Sequence, residues 1–173
     1  MDKIDVLISA EAIAVRLDEL ADEINAEFSG NNVTVICVLK GAFMFATDMV
    51  RRLTFPVDVD FMQLSSYHAT ESTGKVAVNL DVGDISGKNV LVLEDIVDTG
   101  ASLQFLHNHL SAKGPAKLKI CTLLDNPARR KVFDLTPDFT GFVIPNKFVV
   151  GYGLDFNQKY RNLPYIGFID GGK

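Results

Sequence analysis

Short apolar runs rich in β-branched residues constrain this chain of 173 residues more than any other feature. Val33 to Leu39 and Val90 to Leu93 are continuously apolar, the pattern of strands covered on both faces, and Lys117 to Leu124 is a further strand candidate. Helical spacing separates them. Ile13, Leu17, Leu20, Ala21, Ile24 and Phe28 mark one helix, with Ser9 as its cap and Gly30 as its stop. Two more helices are expected over about Ala42 to Leu53 and Ala101 to Ala112. Val57, Val59 and Phe61 alternate with Asp58 and Asp60, as in a half-exposed strand, and Val76 to Leu80, Thr140 to Ile144, Phe148 to Val150 and Tyr165 to Ile169 are shorter candidates. The polar stretch Ser65 to Lys75 reads as a mobile loop. Strands alternating with helices predict an α/β fold over residues 1–173, a single domain with a central, mainly parallel sheet flanked by helices. In such sheets ligands gather beyond the carboxyl ends of the strands.

Composition narrows the functional classes. With 47% hydrophobic and 23% charged residues, 13 Gly and 6 Pro, the chain is neither disordered nor low in complexity. No apolar run approaches the roughly 18 residues of a membrane span, and Met1 to Val6 carries no basic leader, so a cytoplasmic setting away from membranes is expected. Cys37 and Cys121 lie inside apolar runs, which predicts buried thiols and neither a disulfide nor zinc. Lys plus Arg number 17 against 22 Asp plus Glu, a net charge of -5 that argues against nucleic acid as a partner. An anionic ligand would therefore need a local device to hold it.

The segment from Val90 to Leu103 supplies such a device. It joins a strand to a helix through Glu94, Asp95 and Asp98 and the small residues Thr99, Gly100, Ala101 and Ser102. N–H groups at a helix start lack intrahelical partners, glycine permits close approach, and two hydroxyls add donors, so this turn can hold a phosphate without a basic side chain. The adjacent carboxylates of Glu94 and Asp95 suit sugar hydroxyls or a magnesium ion carried in with phosphates. The alternative is an ordinary acidic turn in which Asp98 caps the helix.

Four hydrophobics, Glu-Asp, two aliphatics and Asp-Thr-Gly resemble the phosphoribosyl-pyrophosphate motif of type I phosphoribosyltransferases. Further segments follow the same family's order: Leu39-Lys40-Gly41-Ala42 resembles its pyrophosphate loop, Ser66-Tyr67 the start of its flap, and Lys147 to Asp155 its purine segment, with Arg161 beyond. Over nearly the whole chain the resemblance is to hypoxanthine and hypoxanthine-guanine phosphoribosyltransferases, and Arg161 to Gly167 resembles the bacterial type. The resemblance implies the type I fold with a small hood built from the N-terminal segment and C-terminal strands. It also implies purine salvage: transfer of phosphoribosyl from phosphoribosyl pyrophosphate to N9 of hypoxanthine or guanine, with Mg2+ as cofactor.

Residue by residue, the resemblance makes Asp98 the general base. It assigns the sugar phosphate to Glu94, Asp95, Asp98, Thr99, Gly100, Ala101 and Ser102, and the pyrophosphate to Lys40, Gly41 and Arg161. Ser66 and Tyr67 would close the flap, Asn126, Lys147, Phe148, Val149 and Asp155 would bind the purine, and Glu94, Asp95 and Asp155 would hold metal. A cis peptide at Leu39-Lys40 and a homodimer or homotetramer also accord with it. Without the resemblance, Phe148 could equally be core and Asp155 an ordinary loop acid.

In one place the pattern breaks. The family usually carries Lys after Leu-Leu-Asp, donating to the purine 6-oxo group, but here Asn126 follows Asp125. An amide still donates, without a charge to favour a developing negative oxygen. Asn126 is therefore expected to face the 6-oxo position, with Lys147 as a possible substitute. This leaves open a xanthine-preferring or broad 6-oxopurine enzyme; a nucleotide-sensing, RNA-binding regulator on the same fold is the reading from another class. His107 and His109, two apart on a helix, do not form a metal pair, and His68 stands alone. The basic run Arg129-Arg130-Lys131 is expected to be a solvated face or a subunit contact.

Overall fold

The computed structural model describes residues 3–66 and 76–169. In chain order these form β1 (Ile4–Ile8), α1 (Ala10–Glu27), β2 (Val33–Leu39), α2 (Phe43–Val50), β3 (Val57–Ser66), β4 (Val76–Leu80), β5 (Asn89–Val97), α3 (Ala101–Ser111), β6 (Lys117–Asp125), a 3-10 turn (Pro127–Arg129), β7 (Phe139–Val143), β8 (Val149–Val150) and β9 (Ile166–Ile169). The main sheet has the order β4-β3-β2-β5-β6-β7. It is parallel except where β4 returns antiparallel to β3. A second, three-stranded antiparallel sheet, β1-β9-β8, forms the hood from the two ends of the described chain.

The continuous apolar runs follow from this layering. Val33, Val35 and Cys37 of β2, with Leu91 and Leu93 of β5, join α1 and α2 in one core. Ile36, Val38, Val90 and Val92 point the other way, against Leu103, Leu106 and Leu110 of α3. Since both faces are covered, both sets of alternating side chains must be apolar. Helix α1 starts where Ser9 Oγ accepts a hydrogen bond from the Ala12 N–H, at 3.1 Å. Cys37 and Cys121 are buried free thiols, and desolvation pushes Cys37 up to about 12. No helix among the described residues is long and apolar enough to cross a membrane.

Beyond shifts of a residue at strand ends, three features differ from expectation. Helix α2 ends at Val50 and not Leu53, where the N–H groups of Arg52 and Leu53 donate three residues back to the Met49 and Val50 carbonyls, at 2.9 and 3.4 Å, and Arg52 Nη1 takes up the Asp48 carbonyl at 2.9 Å. On β3 the buried residue is Met62, while Val59 and Phe61 are exposed, since α2 packs over β2 and β5 and leaves that face of β3 open. The third difference is functional: β5 does not stop at Leu93 but carries Glu94 and Asp95 within the strand, held by β6 as far as Val97↔Asp125.

His109 is structural. Its Nε2 lies 3.0 Å from Asp81, which also pairs with Lys113 at 3.0 Å, tying α3 to the segment after β4. Burial would raise the Asp81 carboxyl, but hydrogen bonds from His109, Lys113 and the Val82 N–H outweigh it and hold the group below its ordinary value. A depressed carboxyl stabilises the fold above its unfolded-state value and loses that contribution as the pH falls through its folded-state value. Asp81→Asn should thus cost about 1 kcal/mol or less at neutral pH, because the group is partly exposed. In denaturant melts the difference from wild type should vanish as the pH drops below about 4; a difference that persists there would show that charge is not its source.

Candidate active site

The turn after β5 is shaped by Gly100. It caps α3 with φ +90°, a left-handed conformation, and a Cβ there would sit 2.7 Å from the Val132 carbonyl oxygen. The covering segment is bound in place, because the N–H groups of Lys131 and Val132 both donate to the Thr99 carbonyl, at 2.9 and 3.0 Å. Thr99 Oγ1 accepts from the Ala101 N–H at 3.4 Å. The cap is thus Gly100 and not Asp98, which corrects the capping alternative. The result is a cavity of about 220 Å3 running from Glu94 to Leu103, lined by Thr99, Gly100 and Ser102. Ala101 opens α3 immediately beside it.

Two further cavities adjoin it. One, about 240 Å3, brings Lys40 and Gly41 together with Glu94, Asp95, Ser102, Asp155 and Arg161. The other, about 170 Å3, is lined by Ile96, Asp98, Asn126, Arg129, Lys147, Phe148, Val149, Leu154 and Asp155. Glu94, Asp95 and Ser102 join the first cavity to the second, Ile96 and Asp98 join the first to the third, and Asp155 joins the second to the third. They make one branched crevice. A larger groove of about 420 Å3, between α1, α2 and residues 162–164, shares no residue with it and lacks its cluster of acids and bases.

Close backbone approaches fix the centre of the crevice. The Leu39-Lys40 peptide is cis. A Cβ on Gly41 would collide with the Asp95 carboxylate, and a Cβ on Gly153, at φ +101°, would collide with the Gly41 carbonyl. Gly153 is held in turn by Arg161, whose carbonyl accepts from its N–H at 2.9 Å and whose Nη1 donates to its carbonyl at 2.7 Å. Glu94 is only 6% exposed. Burial, reinforced by the neighbouring charge of Asp95, pushes its carboxyl well above the ordinary value, and burial raises Asp95 as well. Two raised carboxyls side by side, with hard oxygen donors, fit a divalent cation that keeps substrate or water ligands. Among the described residues no set of three or more acidic, His or Cys side chains surrounds a metal position, so the remaining ligands would have to come with the substrate.

The other expected residues are placed around the same crevice or beside it, except those outside the described residues. Arg161 Nη2 lies 2.8 Å from Asp155, which also accepts from the Gln158 N–H at 2.8 Å. Phe148 is not core: the residue is 38% exposed, and its ring meets Phe156 edge-on at 5.6 Å. Lys147 lines the third cavity, with its ammonium 3.2 Å from the centre of the Phe168 ring. Asn126 is buried, its N–H donating to the Val97 carbonyl at 2.9 Å, and its side-chain oxygen has no partner. Ser66 ends β3, while Tyr67 and His68 lie outside the described residues.

The basic run is the main correction. Arg130 is no solvated residue, since its side chain is 7% exposed, pairs with Asp125 and packs beneath Gly100. Arg129 lines the third cavity, with Nε 3.3 Å from Asp98 Oδ1. Its position in the loop directly after β6, at the carboxyl end of a parallel strand, was the available signal. Ile96 and Leu154 were also missed, because as aliphatic residues in apolar segments nothing in their type distinguishes a pocket wall from core.

An α/β fold with a phosphate-sized turn at a helix start, beside paired acids and an aromatic pocket, defines a protein that handles a phosphorylated sugar. A family model for the phosphoribosyl transferase domain matches residues 5–157, and the chain belongs to that family. It is 43% identical to the hypoxanthine-guanine-xanthine phosphoribosyltransferase of Tritrichomonas foetus, over 98% of this chain and 93% of that protein. It is 44% identical to the bifunctional protein TilS/HprT of Listeria monocytogenes over 95% of this chain, which spans 26% of that longer protein. Its fold matches the crystal structure of a hypoxanthine-guanine phosphoribosyltransferase from Bacillus anthracis with a TM-score of 0.92 and 49% identity, covering 98% of this chain and 99% of that one.

The contact between Gly153 and the Gly41 carbonyl gives a direct test. Gly153→Ala places a methyl group against that carbonyl at a positive φ, and should destabilise the protein by about 1 to 3 kcal/mol. A denaturation midpoint equal to that of wild type would show that the purine segment is not locked to the loop in this way.

Proposed function

We propose that the chain transfers a phosphoribosyl group from phosphoribosyl pyrophosphate to N9 of hypoxanthine or guanine, giving IMP or GMP and pyrophosphate in purine salvage. The observation that carries this reading is the branched crevice, which sets a phosphate cup, an acid pair with basic residues, and an aromatic pocket within reach of one bound molecule. Near-full-length identity to relatives named for this activity supports it.

The 5'-phosphate sits in the turn of residues 98–102, on N–H groups at the start of α3 and the hydroxyls of Thr99 and Ser102. Glu94 and Asp95 take the ribose hydroxyls. Lys40, the Gly41 backbone and Arg161 take the pyrophosphate, and the base lies against Phe148 and Val149. As N9 bonds to C1', the bond from C1' to the pyrophosphate oxygen breaks, its electron pair leaving with pyrophosphate. The N7 proton passes to the Asp98 carboxylate. Binding that strengthens as charge grows on the leaving group is what accelerates such a step. Glu94 and Asp95, with Asp155 beside a second site, would hold Mg2+, which would supply neutralisation of the pyrophosphate charge. Ser66 and Tyr67, which match the start of the family's flap, would exclude water from the site.

The same reading makes the partners small molecules. The cytoplasm, where thiols stay reduced, suits the free Cys37 and Cys121. A homodimer or homotetramer is supported by the exposed apolar side chains of Val59, Phe61 and Leu80 on one face of the β3–β4 edge.

Steady-state assays with phosphoribosyl pyrophosphate, magnesium and each of hypoxanthine, guanine, xanthine and adenine test the function. Turnover of hypoxanthine and guanine is expected, and no turnover of any base would overturn it. Asp98→Asn should lower kcat by about 10² to 10⁴ while leaving the KM for phosphoribosyl pyrophosphate within a few-fold; near-normal turnover would remove Asp98 from the role of base.

A further inference from the structure

Three groups in the third cavity could address the edge of a purine, and the structure distinguishes them. The Lys147 ammonium is engaged with the face of Phe168, 3.2 Å from its centre. Asn126 is buried with a side-chain oxygen that has no partner, and its amide can donate but carries no charge to favour a developing negative oxygen. Arg129 remains. It ends the 3-10 turn after β6, where its N–H donates to the Asn126 carbonyl at 3.2 Å. The next residue, Arg130, is buried on Asp125 and anchors the turn. Arg129 Nε lies 3.3 Å from Asp98 Oδ1, yet the side chain is 50% exposed and lines the cavity.

An acceptor and a charged donor therefore stand side by side. On an oxopurine, N7 and the 6-oxygen also stand side by side on one edge, a pair that a single fork of side-chain atoms can span. We infer that Arg129 is the residue with which this chain reads the 6-oxygen: its guanidinium donates to that oxygen while its partner Asp98 addresses N7. This rests on the proposed transfer to an oxopurine and names a specificity-determining residue for it. Guanidinium has donors and no acceptor, so it favours a 6-oxo group and opposes a 6-amino group. The buried Asn126 oxygen, next along the cavity wall, matches the N1–H beside an oxo group and would face the bare N1 lone pair of an aminopurine.

The test compares binding of IMP with that of purine riboside 5'-monophosphate, which lacks only the 6-oxygen, by titration calorimetry. Wild type should prefer IMP. Arg129→Gln should weaken IMP roughly 10- to 100-fold, as expected for loss of a charged hydrogen bond, and leave purine riboside 5'-monophosphate within about two-fold. That unchanged binding also shows the variant to be folded. Arg129→Lys should retain part of the preference, and Asn126→Lys in the Arg129→Gln background should restore it. Equal weakening of both nucleotides, or no change in either, would overturn the assignment of Arg129 while leaving the transferase reading intact. Failure of wild type to bind either nucleotide, together with no transfer to hypoxanthine, would instead overturn the reading on which the assignment rests.

Discussion

Strand β2 stops pairing with β5 at Cys37↔Leu93, while β5 runs on beside β6 to Val97↔Asp125. Residues 94–97 are therefore held along one edge and open along the other. Into that opening the chain sends the turn at Leu39-Lys40-Gly41, and the Asp95 carboxylate packs where a larger residue than Gly41 could not stand. Strand divergence at this point is what converts a core strand into a ligand-binding one. Its middle, Val90 to Leu93, carries only apolar side chains, and the part beyond carries Glu94 and Asp95.

The same opening explains why the acids are placed in the strand and not in the loop beyond. A loop would let them relax into water, where neither would be strained toward its neutral form. In the strand Glu94 is desolvated beside Asp95, and both are pushed up. Burying two carboxyls in this way costs stability. The paired sheet around them carries that cost, and a ligand that brings positive charge or hydrogen-bond donors releases it.

Much of this could be read from residue order. The continuous apolar runs gave strands covered on both faces, Ser9 and Gly30 framed α1 closely, and the segment Glu94 to Ser102, singled out by its acids and small residues, does line a cavity at the start of α3. What escaped was tertiary. The end of β5 depends on where β2 departs, which no window on β5 contains. Val59 and Phe61 alternate as buried residues do, but whether a helix covers them depends on where α2 stops. Arg129 and Arg130 read as a solvated pair because adjacent basic residues usually are. Their roles depend on Asp98 and Asp125, at the ends of two neighbouring strands.

Those pairings also resolve how a chain of net charge -5 can bind a polyanion. Arg161 faces Asp155 and Arg129 faces Asp98, so each of these crevice arginines is matched by an acid, as Arg130 behind them is by Asp125. The guanidinium groups are thereby positioned without building a positive surface that would attract nucleic acid or anionic membrane. An anion that seats on Arg161 must draw it from Asp155 and leave a carboxylate behind. An anion arriving alone would exchange one ion pair for another and gain little, whereas one that brings its own counter-charge satisfies both partners of the broken pair. On the proposed reading such a crevice would favour ligands that are anionic at one atom and charge-compensated at the next, and the backbone N–H groups at the start of α3 would add an anion-binding surface that needs no such exchange.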